Sequence, residues 1–196
     1  KGPTAVITGG SLGIGLQLGR FLAIAGARVL LSARSEGKLA EAREEIVEEL
    51  RNIGYPRPES RVTILGGIDV GDPDALNRLH DHAVAELGHV DFLINNAGIS
   101  GAEEMVVDMT RADWDRTMEA NLISNYSLIR KFGPVMKDKG KGSILNVSSY
   151  FGGEKYVAVA YPNRGDYAVS KAGQRVLAEI LSRHLGPEIQ INALAP

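Results

Sequence analysis

Tyr167 and Lys171 are four residues apart, so on a helix their phenol and ammonium leave the same face and can work as a unit. A phenol titrates at about 10, too high for ready proton exchange at neutral pH. An ammonium beside it favours the ionised form, which makes Lys171 a group that tunes Tyr167 as a proton donor. Upstream, Ser148-Ser149 supplies hydroxyls that can donate to a carbonyl oxygen as negative charge develops on it. Taken alone, a Tyr and a Lys at this spacing are ordinary on an amphipathic helix. The start of the chain changes their meaning. Thr8-Gly9-Gly10-Ser11-Leu12-Gly13-Ile14-Gly15 is a glycine-rich turn at which backbone N–H groups and a helix N-terminus can meet a pyrophosphate. A proton donor with a nucleotide seat is equipment for moving hydride, the nucleotide carrying the redox chemistry.

These groups need a scaffold that brings residues 8–15, 148–149 and 167–171 together. Apolar runs alternate with helical periodicity along the chain, the mark of repeated strand–helix units and a parallel sheet. Strands are expected at residues 5–8, 28–32, 62–65, 91–95, 144–147 and 189–193. Helices are expected at 13–25, 36–53, 73–87 and 166–185, with 111–137 as one long helix. Asp72-Pro73 starts the third of these, since Asp suits the N-cap and Pro the first turn. The fold class is α/β, a Rossmann-like doubly wound parallel sheet with helices on both faces.

Within that scaffold the first strand-to-helix turn carries Thr8, Gly9, Gly13, Ile14 and Gly15. Their spacing departs from the commoner Gly-x-Gly-x-x-Gly, and a plain tight turn is the alternative. The second strand ends in Ser32-Ala33-Arg34, where an NAD site would carry an acid for the ribose 2′-OH. Arg34 can pair with a 2′-phosphate instead, which favours NADPH; otherwise it solvates the start of a charged helix. Asp69 and Val70 follow the third strand, beside the expected adenine, and Asn95, Ala97 and Gly98 follow the fourth, where small residues let backbone approach a cofactor. Both stretches could also be ordinary turn chemistry.

Composition excludes several classes. With 44% hydrophobic and 23% charged residues in 196, the chain can bury a full single-domain core. A net charge of -2 with both signs interspersed argues against nucleic acid or an anionic membrane as partner. No apolar run approaches the ~20 residues of a membrane helix, and no leader pattern opens the sequence, so a cytoplasmic location is expected. There is no cysteine, hence no disulfide, thiolate metal site or cysteinyl intermediate. His80 and His82 fall on different helix faces and no acidic cluster has ligand spacing, so no metal is expected.

Thr-Gly-x-x-x-Gly-x-Gly at 8–15, Asn-Asn-Ala-Gly at 95–98, Asn121, Ser149 and Tyr-x-x-x-Lys at 167–171 together resemble the short-chain dehydrogenase/reductase family over the whole chain. The resemblance implies that Tyr167 is the general acid, Lys171 holds the nicotinamide ribose, Ser149 holds the substrate carbonyl and Asn121 anchors a relay water. It also implies a homodimer packed through helices 111–137 and 166–185. Ser148 is the competitor for Ser149; alternation at the strand end turns one of the two away.

The segment between Ser149 and Tyr167 is longer than in most of that family. With residues 101–108, 123–126, 168–175 and 185–188, it is similar to the C-terminal half of bifunctional malonyl-CoA reductases. That narrower resemblance implies NADPH-dependent reduction of malonyl-CoA to malonate semialdehyde and CoA. Without a cysteine, such a reduction must proceed by direct hydride attack. The free carboxylate of this acyl-CoA partner needs a cation, for which Arg164 and Lys155 are candidates, each otherwise a solvated loop charge. A 3-oxoacyl or ketone reductase would use the same residues, and a non-catalytic nucleotide-binding module is the third reading. The abrupt ends at Lys1 and Pro196 lead us to expect a fragment of a longer chain, a single domain at 1–196 cut before a substrate lid and a seventh strand.

Overall fold

Six short runs of β-branched and large aliphatic residues form the sheet in the computed structural model, which describes residues 2–153 and 160–196. The strands are β1 (Thr4–Thr8), β2 (Arg28–Ser32), β3 (Val62–Leu65), β4 (Phe92–Asn95), β5 (Gly142–Val147) and β6 (Ile189–Leu194). Their order is β3-β2-β1-β4-β5-β6 and every pairing is parallel. β1 is buried along its whole length, as befits a strand with neighbours on both edges and helices on both faces.

Alternation along the strands divides the core in two. Ala5, Ile7, Val29 and Leu31 face a layer made by α1 (Gly13–Ile24) and α2 (Glu36–Asn52), which contributes Leu39, Ile46 and Leu50. Val6, Leu30, Leu93 and Ile144 face the opposite layer, with Leu76 and Leu79 of α3 (Pro73–Leu87). Leu128 and Phe132 of α5 (Ser124–Asp138) and Ala178 of α6 (Gly165–Leu185) complete that layer. The order in which strands are added reverses across the sheet between β1 and β4, and a crevice opens there at the carboxyl ends of the strands.

The expected strands and helices are present, with ends displaced by a residue or two. Asp72 caps α3 by accepting from Asp74 N at 2.9 Å, with Pro73 in the first turn. The single helix expected over 111–137 is instead two: α4 (Arg111–Met118) and α5, joined by a π-helical turn at Glu119–Ile123. There the Ser124 N–H reaches back five residues to Glu119 O. The Asn121 carbonyl meanwhile accepts from the Gln174 side chain, a partner outside the helix, which is what one expanded turn permits. Among the described residues no helix is long and apolar enough to cross a membrane.

Candidate active site

The crevice holds a cleft of about 610 Å3 lined by all three regions that the chemistry requires. The glycine turn forms its floor on the β1 side. Gly9 and Gly13 have φ of 65° and 58°, in the region that favours glycine. A Cβ on Gly13 would meet nothing within 4 Å, so that face of the turn is open to a ligand, whereas one on Gly15 would lie 2.4 Å from Gly9 O. Gly15 thus serves close packing beneath the turn rather than the cleft surface.

Thr8 is likewise behind the cleft. It is buried, and its Oγ1 accepts from both Asn96 N and Ala97 N at 3.1 Å, tying the loop after β4 to the end of β1. Asn96 Nδ2 donates to Thr8 O and Gly9 O at 3.0 Å each, locking the same junction. Asn95 does not reach the cleft: it points into the sheet and donates to Asn146 Oδ1 at 2.9 Å, and Asn96 lines the cleft instead. Ala97, Gly98, Asp69, Val70 and Ile14 all line it. Asp69 accepts from Gly71 N at 3.0 Å, a turn-forming contact.

At the far end of the cleft lies Arg34, joined by Ser35 and Lys38. Ser35 caps α2 through Lys38 N, which sets that first turn against the end of β2. Lys38 is a second cation that sequence reasoning passed over, because a lysine in a helix's first turn reads as solvated surface. Two cations and helix N–H groups can hold a phosphate at this place.

The reactive residues come from β5 and α6. Ser148 and Ser149 follow β5 and divide their work: Ser148 Oγ donates to the Lys171 carbonyl at 2.7 Å, while Ser149 accepts from Phe151 N at 3.3 Å on the cleft wall. Tyr167 lines the cleft on the first turn of α6, its ring set edge-on to Phe151 with centroids 5.7 Å apart. Lys171 Nζ lies 5.7 Å from the centre of the Tyr167 ring. It is 4% exposed and donates to Val147 O at 2.8 Å. Burial lowers its pKa to about 8.

Asn121 sits behind this group, fully buried on the π turn. It accepts from Ile99 N at 2.8 Å and donates to Ile99 O and Ser170 Oγ at 3.0 Å, so it fixes the loop after β4 against α6. Asp166 has a similar duty and carried no sequence signal: its buried carboxylate accepts from Thr117 Oγ1, Ala102 N and Tyr167 N. Arg164 lies outside the cleft lining, where its guanidinium pairs with Glu103 at 2.8 Å and donates to Ser100 O at 3.1 Å. Lys155 lies outside the described residues. Among those residues no cluster of His, Cys, Asp or Glu could hold a metal ion.

Residues 3–196 match the family model described as short chain dehydrogenase. The chain is 33% identical over 196 residues to 7alpha-hydroxysteroid dehydrogenase of Escherichia coli (strain K12), covering all of this chain and 70% of that protein. It is 31% identical to a 3-oxoacyl-[acyl-carrier-protein] reductase of Staphylococcus aureus (strain Mu50), covering 98% and 73%. Among solved structures, the C-domain, with NADP, of a bacterial malonyl-CoA reductase superposes with a TM-score of 0.95 at 56% identity. That match covers 99% of this chain, which spans only 29% of the other. A metagenomic short-chain oxidoreductase in complex with NADP superposes with a TM-score of 0.86 at 31% identity, covering 99% and 81%.

Proposed function

This chain belongs to the short-chain dehydrogenase family, and from that premise we propose that it is an NADPH-dependent reductase converting malonyl-CoA to malonate semialdehyde and free CoA. The observation that carries the substrate is the 56% identity to the C-domain of a malonyl-CoA reductase solved with NADP. Arg34 and Lys38, standing after β2 where an NAD site would carry an acid, support NADPH over NADH.

Bound NADPH supplies the hydride, and this chain's residues do the rest. The glycine turn and the N-terminus of α1 receive the pyrophosphate, and Arg34 with Lys38 takes the 2′-phosphate. Lys171 holds the nicotinamide ribose and sets its ammonium beside the Tyr167 ring. Ser149 and Tyr167 donate hydrogen bonds to the thioester oxygen, where negative charge grows as hydride reaches the carbonyl carbon. Tyr167 passes its proton to that oxygen, giving a hemithioacetal. Its collapse breaks the carbon–sulfur bond, leaving aldehyde and thiol, with one NADPH and one proton consumed. Asn121 acts by holding the loop and α6 in register. Arg164 takes the free carboxylate, exchanging Glu103 for it.

The 31% identity to a 3-oxoacyl reductase favours a second reading, reduction of a ketone by the same residues. Following NADPH oxidation and free thiol together separates the two. One thiol released per NADPH with malonyl-CoA is expected. Oxidation driven by 3-oxoacyl thioesters with no thiol appearing would overturn the thioester assignment.

A further inference from the structure

Behind Lys171 a buried polar chain runs into the sheet where apolar packing would suffice. Residues 171, 174, 178 and 185 form one inward stripe of α6, and Ala178 and Leu185 on it belong to the core. At position 174 that stripe carries Gln rather than an apolar residue, and Gln174 is 0% exposed. Its two amide ends have different partners. Oε1 lies 3.4 Å from Lys171 Nζ, and Nε2 donates to the Asn121 carbonyl on the π turn. The orientation of the carboxamide is fixed by both, since only the oxygen can face an ammonium and only the nitrogen a carbonyl. Gln174's own carbonyl accepts from Asn146 Nδ2, and Asn146 in turn accepts from Asn95.

We propose that Gln174 is a positioning residue for the reduction: its carboxamide bridges Lys171 and the π turn, holding the ammonium at the height of the Tyr167 ring. This rests on the reading of Tyr167 and Lys171 as the working pair. The loss of one bridging side chain would leave Lys171 with Val147 O as its remaining described acceptor. It would also leave the Asn121 carbonyl without its side-chain donor in a dry interior, where unmatched polar groups are costly. Among the described residues few other charges bear on Lys171. On α6, Tyr167 faces it at 5.7 Å, while the Asp166 carboxylate is turned to Thr117 and Ala102. β5 presents the Val147 carbonyl and Ser148, the loop after β4 presents Gly98, and the π turn presents Asn121. A change at 174 should therefore register directly in Lys171's titration.

The test compares Gln174→Leu and Gln174→Glu. In protein carrying 13C-labelled lysine, the Lys171 Cε resonance, identified by its loss in Lys171→Met, is followed from pH 6 to 11. Removing the acceptor disfavours the ammonium and should move the midpoint down, whereas a carboxylate should move it up, each by about one unit. The basic limb of the kcat profile should follow in the same two directions, and kcat of Gln174→Leu should fall about tenfold at neutral pH. Midpoints that stay put, or move together, overturn the proposal, as does a kcat profile that ignores both changes. Should Gln174→Leu misfold, Gln174→Glu decides alone, because it keeps the shape. The titration needs neither cofactor nor substrate. A protein that showed these shifts yet released no thiol from malonyl-CoA would refute the substrate and not the role of Gln174, whose kcat arm would then be read on a ketone.

Discussion

Burial lowers the pKa of Lys171 to about 8, and in the proposed reaction the charged form is the one that holds the nicotinamide ribose. NADPH affinity should therefore weaken as pH rises through about 8, which fluorescence titration of the cofactor will measure. In Lys171→Arg, whose cation does not titrate in this range, that weakening should vanish. A second residue with a sharp expectation is Arg164. Its partner Glu103 is 56% exposed, so their ion pair is worth at most about 1 kcal/mol and exchanges readily. Arg164→Ala should raise KM for malonyl-CoA roughly tenfold while leaving acetyl-CoA nearly unchanged. Equal changes for both would remove Arg164 from carboxylate binding. Much of the site was legible because its residue types are unusual at their spacing: a glycine run at a strand end, and a Tyr and Lys one turn apart. What stayed hidden is of the opposite kind. Lys38 and Gln174 have ordinary helical surroundings, and only folding shows that one faces the cleft and the other the interior. Asn95 and Asn96 are chemically identical, so only the last ladder register of β4 decides which of them faces the cleft.

Among the elements, the β1–α1 turn is the least forgiving. A Cβ on Gly15 would stand 2.4 Å from both Gly9 O and Asn96 Nδ2, and the backbone oxygen cannot step aside. Gly15→Ala should pry the turn from the loop after β4, costing about 1–3 kcal/mol of stability together with most NADPH affinity. Thermal unfolding with and without NADPH would show it, as a lower Tm and a lost cofactor-induced rise. A Tm within a degree of the parent would contradict this account of the turn. The π turn was not legible for a related reason. Apolar residues keep helical periodicity through 111–137, and the widening depends on Asn121 and Gln174, which are distant in sequence. Most of the fold was readable, since six apolar runs and the helices between them leave few parallel arrangements.

For the whole molecule, the two ends of the sheet have different tasks. Opposite the cleft, Asp91 fastens the start of β1: it accepts from Thr4 N at 2.9 Å and lies beside His89 and Lys141. Burial alone would raise its pKa, but the Thr4 N–H, His89 and Lys141 outweigh burial and hold it below the ordinary value. A carboxylate with a lowered folded pKa stabilises above its unfolded pKa of about 3.9 and loses that contribution as pH falls through the folded value. Stability should therefore drop on acidification below about pH 4, and in Asp91→Asn that part of the drop should disappear; urea unfolding at pH 3 and pH 6 will measure both. Along α6 the exposed Val169, Val176 and Ile180 give an apolar face of the kind that a homodimer would bury. Ile180→Glu should then yield monomers in sedimentation runs, and an unchanged mass would remove this face from self-association.

The widened turn at Glu119–Ile123 also limits how the protein can be changed. Each residue added to or removed from a helix rotates everything beyond it by about 100°. Deleting Leu122 to restore an unbroken helical ladder would therefore swing Leu128, Phe132 and Met136 off the sheet, or else carry Asn121 away from Ile99. A regular helix and a working centre are incompatible over this stretch, so consensus-style tidying here should give a helix that melts higher in isolation and an enzyme that no longer turns over.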